Sequence, residues 1–201
     1  IANNPAASAL ALILLRLHAR YPVRQAVAHV FEPASERGQA GMTELQKQVA
    51  SLLSFKPLEK KVFDAQLAFN ILGRFGEDAP ERLQDIEGRV ERHLTSLLAG
   101  KAPLPSIRLV QAPVFHGHTI SLWVEFTERP EVEDIEAELE AAGIDIRTAD
   151  LEPPSNVGTA GQAGVTAGLI EADRNNPRSA WILAVADNYR VAADNAAAVV
   201  R

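Results

Sequence analysis

A strand-like alternation of apolar and polar residues dominates the centre of the chain, over residues 106–126, SIRLVQAPVFHGHTISLWVEF. In its second arm the alternating positions separate an apolar set from a mostly polar one: Ile120, Leu122, Val124 and Phe126 against Thr119, Ser121, Trp123 and Glu125. This alternation is typical of a strand with one buried face. The first arm, residues 107–115, is apolar and β-branched, and Pro113 limits its pairing as a central strand. Gly117 lies between the arms, so we expect two strands joined directly as a hairpin.

Helical spacing or composition is found in five further segments: 5–20, 43–53, 78–99, 130–142 and 188–201. The first is apolar on nearly all sides, which predicts a buried helix. Asn4 is its expected N-cap, and Pro5 suits the first turn because its missing N–H has no partner there in any helix. We expect Asp78 to cap the third of these helices, whose apolar stripe begins at Leu83.

The remaining segments predict strands and loops. Strands are expected at residues 23–31, 144–148, 165–171 and 181–186, and loops at 32–41 and 152–164. Residues 56–73 have no clean period and predict an extended, partly buried segment; their apolar side chains suit either a surface that covers another subunit or core packing within one subunit. Strands and helices interleaved in this way predict an α+β fold, with one mixed, mainly antiparallel sheet and helices packed on one face.

Composition narrows the functional classes. The chain has 201 residues, 47% of them hydrophobic, and can therefore bury a substantial core. Its net charge of −6, without a basic block, argues against a nucleic-acid partner. No apolar run is long enough to span a bilayer, so we expect no membrane partner and a cytoplasmic location. The chain has no cysteine, which excludes disulfides, thiolate metal sites and cysteine nucleophiles within it. It begins with Ile1 instead of Met, so we expect it to be part of a longer protein.

The motif His116–Gly117–His118 is the main candidate for chemistry. Two histidines at this spacing could chelate a metal, but a third ligand is required, and no other histidine lies in a related segment, so we expect no metal. A single histidine acting as general base near neutral pH fits the motif better. Both histidines could equally be ordinary polar residues of a strand. A serine nucleophile is not expected, because the chain has no G-x-S-x-G elbow.

Several pieces of sequence follow one another in a fixed order: ANNP before the first helix, VFEPASERGQAG after the first strand, then KVFDAQLAFNILG, APVFHGHTISLWVEF and ILAVADNYRVAADNAA. Together they resemble the C-terminal, dimerisation domain of the aspartate-semialdehyde dehydrogenase family, an oxidoreductase family of amino-acid biosynthesis. The third piece is similar to the family's KVFPxQIAFNxIP and the fourth to its VPVFRGHSESVxVEF. The resemblance implies that residues 1–201 form one dimerisation domain, whose first and last helices could pack on an N-terminal Rossmann domain outside this chain.

The resemblance also implies a chemistry. In the family a cysteine thiolate attacks the aldehyde, hydride passes to the nicotinamide of NADP (or NAD), and phosphate accepts the acyl group. In this chain Pro5 falls in the slot of that cysteine, and Glu32 falls where the family has a glutamine that orients the substrate. Gln111 replaces the arginine that clamps the substrate carboxylate. His118 matches the catalytic histidine, and Asn188 matches a residue linked to nicotinamide binding.

These replacements remove the covalent nucleophile and the bidentate carboxylate contact, and Glu32 adds negative charge where an anionic substrate would bind. The family's acidic substrate residue falls on Glu81 or Glu87. The pattern resembles the Usg-like branch of the family, which lacks the cysteine. We therefore expect a homodimeric, aspartate-semialdehyde dehydrogenase-like protein with impaired or lost activity. A non-enzymatic dimerising protein that uses the surface of residues 61–72, and an oxidoreductase of altered chemistry that uses His118, are the alternatives.

Overall fold

The computed structural model describes residues 4–193 of the chain. The helices in this range are α1 (Pro5–Arg20), α2 (Gly38–Leu53), α3 (Leu83–Leu98), α4 (Val132–Ala141) and the single turn α5 (Asn156–Thr159). The strands are β1 (Val23–Glu32), β2 (Ser106–Gln111), β3 (His118–Phe126), β4 (Asp145–Arg147), β5 (Thr166–Ala172) and β6 (Ser179–Ala186). A 3-10 helix, Ala34–Arg37, connects β1 to α2. The last predicted helix is helical over residues 188–193, and the rest of it lies outside the described residues.

The strands form one mixed sheet in the order β2-β1-β3-β6-β5-β4. The pairs β1–β2 and β4–β5 are parallel, and β1–β3, β3–β6 and β5–β6 are antiparallel. The predicted α+β class, with a mainly antiparallel sheet, is confirmed. None of the described helices combines the length and the hydropathy that a bilayer crossing requires.

The predicted hairpin of residues 106–126 is wrong, because β1 lies between β2 and β3. The connection between these strands instead follows the chain that leaves β1. The main-chain N–H groups of Ala34 and Ser35 donate to the carbonyls of Val114 and Phe115, at 2.8 and 3.0 Å. These hydrogen bonds carry the connection across the end of β1, so that β2 and β3 pair with its two edges.

Helix α1 is the centre of the helical layer on one face of the sheet, and it packs against α3, α4 and the strands β1, β3 and β6. It begins as predicted: the Asn4 side chain accepts the N–H groups of Ala6 and Ala7, at 2.9 and 3.2 Å, and Pro5 is the first helical residue. Most of its apolar side chains are buried, Leu10, Ile13, Leu14 and Leu17 fully, whereas Leu12 is 38% exposed. Burial of each such side chain stabilises the fold by roughly 1.5–3 kcal/mol.

The stretch predicted as a loop, residues 32–41, is mostly regular structure. Glu32 is the last residue of β1, the 3-10 helix follows, and α2 begins at Gly38. The two glycines made the stretch look like a loop, but Gly41 serves packing inside α2. A Cβ atom at Gly41 would lie 2.4 Å from the carbonyl oxygen of Ala34, so only glycine lets α2 approach the 3-10 helix.

The start predicted for the long central helix is also wrong. Helix α3 begins at Leu83 after Arg82, four positions later than a cap at Asp78 requires. Asp78 belongs to the preceding loop, where its main-chain N–H donates to Asp64 Oδ2 at 3.0 Å.

Residues 56–73 run without helix or ladder strand, as predicted, and two side chains of α2 hold them in place. The Glu44 carboxylate accepts the main-chain N–H groups of Lys61, Val62 and Phe63 at 2.6, 2.6 and 3.2 Å. Gln48 accepts the N–H of Leu67 at 2.7 Å. Hydrogen bonds from this segment therefore end on buried polar atoms of the chain's own helix.

The apolar side chains of this segment divide into two groups. Phe63 and Leu67 are fully buried within the chain, whereas Phe69 and Ile71 are 67% and 54% exposed. Of the two uses predicted for the segment, core packing within one subunit accounts for the first group. Only the second group is available to another molecule.

Candidate functional site

Three of the predicted site residues lie side by side across the sheet. The β1–β2 register pairs Glu32 with Gln111. The β1–β3 register ends with Phe31 opposite Thr119, so the next position places Glu32 opposite His118. All three side chains lie on the face that the helices cover, and none is more than 1% exposed. We call Gln111, Glu32 and His118 the polar row.

Each member of the polar row has one buried polar atom without a hydrogen-bond partner among residues 4–193: Gln111 Oε1, Glu32 Oε2 and His118 Nδ1. The Gln111 amide is oriented by its nitrogen, which donates to the main-chain carbonyls of Glu32 and Ala112 at 2.8 and 3.3 Å. A buried polar atom left unpaired costs about 1–3 kcal/mol, and native proteins contain few of them. Three such atoms in one row mark a candidate ligand site.

Arg37, at the end of the 3-10 helix, supplies a cation beside the polar row. Its Nη2 donates to Glu32 Oε1 at 2.5 Å, and its Nη1 donates to Glu81 Oε2. Glu81 Oε1 also accepts both terminal nitrogens of Arg89, each at 3.0 Å. The terminal nitrogens of Arg37 are thus committed to two carboxylates. Its Nε is buried and has no partner in the described part of the chain.

Burial dominates the protonation of the polar row. It raises the pKa of Glu32 to about 7, although Arg37 works in the opposite direction. It lowers the pKa of His118, with a nearby carboxylate, Glu36, opposing the shift, so the imidazole is neutral at physiological pH. Burial also works to raise the pKa of Glu81, but Arg37 and Arg89 outweigh it and hold that pKa below its usual value. The row therefore carries at most one negative charge, and that charge titrates near neutrality.

The two histidines of the HGH motif do not act as a pair. His118 is the first residue of β3, whereas His116 lies in the turn before it, with its ring 5.5 Å from the ring of Tyr189. Gly117 separates them with φ at +82°, a conformation that favours glycine. Asn156 fixes the turn by donating to the carbonyls of His116 and Gly117, at 3.0 and 2.7 Å. Within residues 4–193, no group of three or more His, Asp or Glu side chains is arranged to hold a metal ion.

Asn188 lies against the same turn. Its Oδ1 accepts the Gly117 N–H at 3.2 Å and the Ser35 hydroxyl at 3.1 Å, so it ties the turn to the 3-10 helix. With Oδ1 engaged in this way, the predicted contact between Asn188 and a nicotinamide would have to use the amide nitrogen.

Pro5, in the slot of the family's cysteine, is buried in the first turn of α1 and is followed by two fully buried alanines, Ala6 and Ala7. The preceding N–H, that of Asn4, donates to His93 Nδ1 on α3 at 2.9 Å. None of these three side chains carries a nucleophilic atom.

Of the two acidic residues considered for the family's substrate contact, Glu81 is the one that reaches the polar row, through Arg37. Glu87 instead accepts the main-chain N–H of Leu109 on β2, at 2.6 Å.

Arg37 was not identified from the sequence, although a signal was present. Ala26, Ala28 and Val30 alternate as the inward positions of β1, and continuing that alternation places Glu32 in the core. A carboxylate at a core position requires a partner, and Arg37 is the nearest arginine after it in the chain. Asn156 was missed as well, and no local pattern marks it.

Comparisons with known proteins agree with this architecture. The family "Semialdehyde dehydrogenase, dimerisation domain" matches residues 14–191. A USG-1 protein homolog from Pseudomonas aeruginosa is 31% identical over 192 residues, which are 94% of this chain and 57% of that protein. An aspartate-semialdehyde dehydrogenase from Rickettsia bellii is 28% identical, with the same two coverages. The chain therefore spans less than two thirds of the length of these relatives.

Solved structures give the same result. A probable aspartate-semialdehyde dehydrogenase from Pseudomonas aeruginosa superposes with a TM-score of 0.88 at 31% identity, covering 97% of this chain and 59% of that one. Aspartate semialdehyde dehydrogenase II from Vibrio cholerae superposes with a TM-score of 0.86 at 23% identity, covering 99% and 61%. The second likeness shows the fold alone.

Proposed function

Because the chain belongs to the semialdehyde dehydrogenase family and corresponds to its dimerisation domain, we propose that it is the dimerising part of an aspartate-semialdehyde dehydrogenase-like protein that has lost the thiol-dependent reaction. One observation carries the proposal: the chain contains no cysteine, and Pro5, Ala6 and Ala7 occupy the turn where the family's nucleophile is expected. The remaining polar row would then hold a ligand without forming a covalent bond to it.

The reaction itself tests the proposal. The full-length protein is assayed for phosphate-dependent reduction of NADP with aspartate semialdehyde, beside an active member of the family. Removal of a nucleophile lowers turnover by about 10⁴-fold or more, so we expect a rate at least that far below the reference. A rate near that of the reference enzyme would overturn the proposal.

Gln111 supports the same conclusion, because its amide is committed to main-chain carbonyls and it carries no charge. A carboxylate substrate would lose the bidentate, charge-assisted contact that an arginine provides. It would also lie beside Glu32, which repels it whenever Glu32 is ionised.

NADP is the cofactor that the family resemblance implies, and we propose that the part of the full-length protein outside this chain supplies most of its contacts. In this chain only Asn188 is proposed to reach the nicotinamide, through its amide nitrogen. A cytoplasmic location is proposed on the same resemblance.

We propose a homodimer formed through the sheet face opposite α1. Its central row aligns Val27, Trp123 and Trp181 on three adjacent strands. Val27 and Trp123 are half-buried, and Trp181 is 37% exposed. Aromatic and β-branched side chains in one uncovered row suit burial against a second copy. The alternative dimer surface is that of residues 61–72, where Phe69 and Ile71 are exposed.

Light scattering on matched variants distinguishes the two surfaces. The wild type should be a dimer, Trp181→Lys should shift it towards monomer, and Phe69→Lys should leave it a dimer. Both positions are exposed, so both variants should fold. A strict monomer at high concentration would refute the dimer, and dissociation by Phe69→Lys alone would move the interface to residues 61–72.

A further inference from the structure

We infer that the polar row binds a small molecule through a nitrogen group rich in hydrogen-bond donors, a primary ammonium or a primary carboxamide, and not through a carboxylate. The inference uses the site of the proposed function and names its ligand class. It depends neither on the dimer nor on the loss of the dehydrogenase reaction.

The free atoms of the row define what the ligand must offer. Gln111 Oε1 can only accept, because both donors of this amide belong to its nitrogen, which faces two carbonyls. Glu32 Oε2 accepts when the carboxyl is ionised, and His118 Nδ1 accepts in the neutral tautomer that carries its proton on Nε2. A group with two or three N–H donors offers the hydrogens that these acceptors lack. A carboxylate has no donor and would leave them unpaired.

The charges near the row favour the same class. Both terminal nitrogens of Arg37 are already held by Glu32 and Glu81, and within residues 4–193 its Nε–H is the part of the guanidinium that stays unpaired. His118 is neutral, since burial lowers its pKa. A carboxylate would therefore meet Glu32 beside an arginine whose charge Glu32 and Glu81 already balance, whereas an ammonium would pair with Glu32.

The ion pairs connect the buried row to the surface. Glu32 is 1% exposed, while the Glu81 side chain, on the other side of Arg37, is 40% exposed. The series Glu32, Arg37, Glu81 thus leads from the buried row to the surface. Because the row itself is covered, the group that enters must be small.

The test compares three molecules on one carbon skeleton: propylammonium, propionamide and propionate. The full-length protein, labelled with ¹⁵N, is titrated at pH 8, where Glu32 is ionised, and binding is followed at the ring nitrogens of His118. We expect saturable shifts with propylammonium or propionamide, and affinity for propionate lower by about tenfold or more, as for the loss of a charge-assisted hydrogen bond. Propionate binding as tightly as the nitrogen compounds, or no saturable shift with either of them, would overturn the inference.

Two variants separate ammonium from carboxamide. Glu32→Gln should weaken propylammonium by about tenfold or more and affect propionamide much less. Glu131→Gln, at a side chain 76% exposed and remote from the row in sequence, should change neither affinity. Thermal melting of Glu32→Gln checks that it folds, and the three-way comparison on the wild type needs no variant. Equal affinities of Glu32→Gln and wild type for every probe would remove Glu32 from the site.

Proton release gives an independent readout. Near pH 7 about half of the Glu32 carboxyls hold a proton, and ammonium binding should expel it. The heat of propylammonium binding should then vary with the ionisation enthalpy of the buffer. Heat that is independent of the buffer would contradict binding at Glu32. An active dehydrogenase or a monomeric protein would refute the proposed function and leave these titrations unaffected.

Discussion

The replacement Glu32→Gln gives the sharpest test of the buried ion pair. Glu32 is 1% exposed, and its pKa is about 7 in the folded chain against 4.5 for an ordinary glutamate. A carboxyl whose pKa is raised on folding binds its proton more tightly in the native state. Its contribution to stability is therefore complete below pH 4.5 and is lost as the pH rises through about 7.

The magnitude follows from the difference between these two pKa values. At about 1.4 kcal/mol for each pKa unit, the wild type should lose about 2–3 kcal/mol through Glu32 between pH 5 and pH 8. Glutamine has no such titration. The free energy of unfolding of Glu32→Gln, relative to the wild type, should therefore rise by about that amount over the same interval.

Urea unfolding followed by tryptophan fluorescence measures this difference. Both proteins are compared at one concentration, because the proposed dimerisation would also contribute to stability. Glu131→Gln, at a side chain 76% exposed, serves as the surface control for replacing a glutamate by glutamine. A difference that does not change with pH would refute the burial argument. A change of the opposite sign would mean that pairing with Arg37 outweighs burial.

Two further predictions concern other buried polar contacts. Arg37→Met should destabilise the chain by about 3 kcal/mol at pH 8 and by less at pH 5, where Glu32 is protonated. Arg89→Met should cost less than about 1 kcal/mol, because Arg89 is exposed. Urea unfolding at the two pH values measures both losses, and equal losses for the two variants would contradict the buried role of Arg37. Gln48→Leu should weaken the attachment of residues 56–73 by about 2 kcal/mol, because it removes the acceptor for the Leu67 N–H. Hydrogen exchange at Leu67 measures that loss, and unchanged protection there would show that Gln48 does not hold the segment.

Local features of the fold could be predicted from the sequence. Asn4, Pro5 and the apolar residues of α1 lie within a few positions of one another, and a cap depends only on such neighbours. The alternation of β3 likewise reflects one strand between a core and an open face. Strand order could not be predicted in the same way, because the pairing of β1 with β2 depends on contacts between distant parts of the chain.

The candidate site was predicted in part. Glu32, Gln111 and His118 were each identified separately, and the structure places them in one row. Arg37 was missed because Gly38 and Gly41 gave its surroundings the composition of a loop. The close approach of α2 to the 3-10 helix, which requires Gly41, is a tertiary contact that no local pattern reveals.

The position of β1 between β2 and β3 has a consequence for synthesis on the ribosome. Strand β1 ends at Glu32, but the strands that occupy its two edges begin at Ser106 and His118. Until those residues have left the ribosome, both edges of β1 and the apolar surface of α1 lack their partners. Nascent chains that stop short of residue 126 should therefore aggregate or recruit chaperones, whereas chains that extend beyond β3 can complete the centre of the sheet.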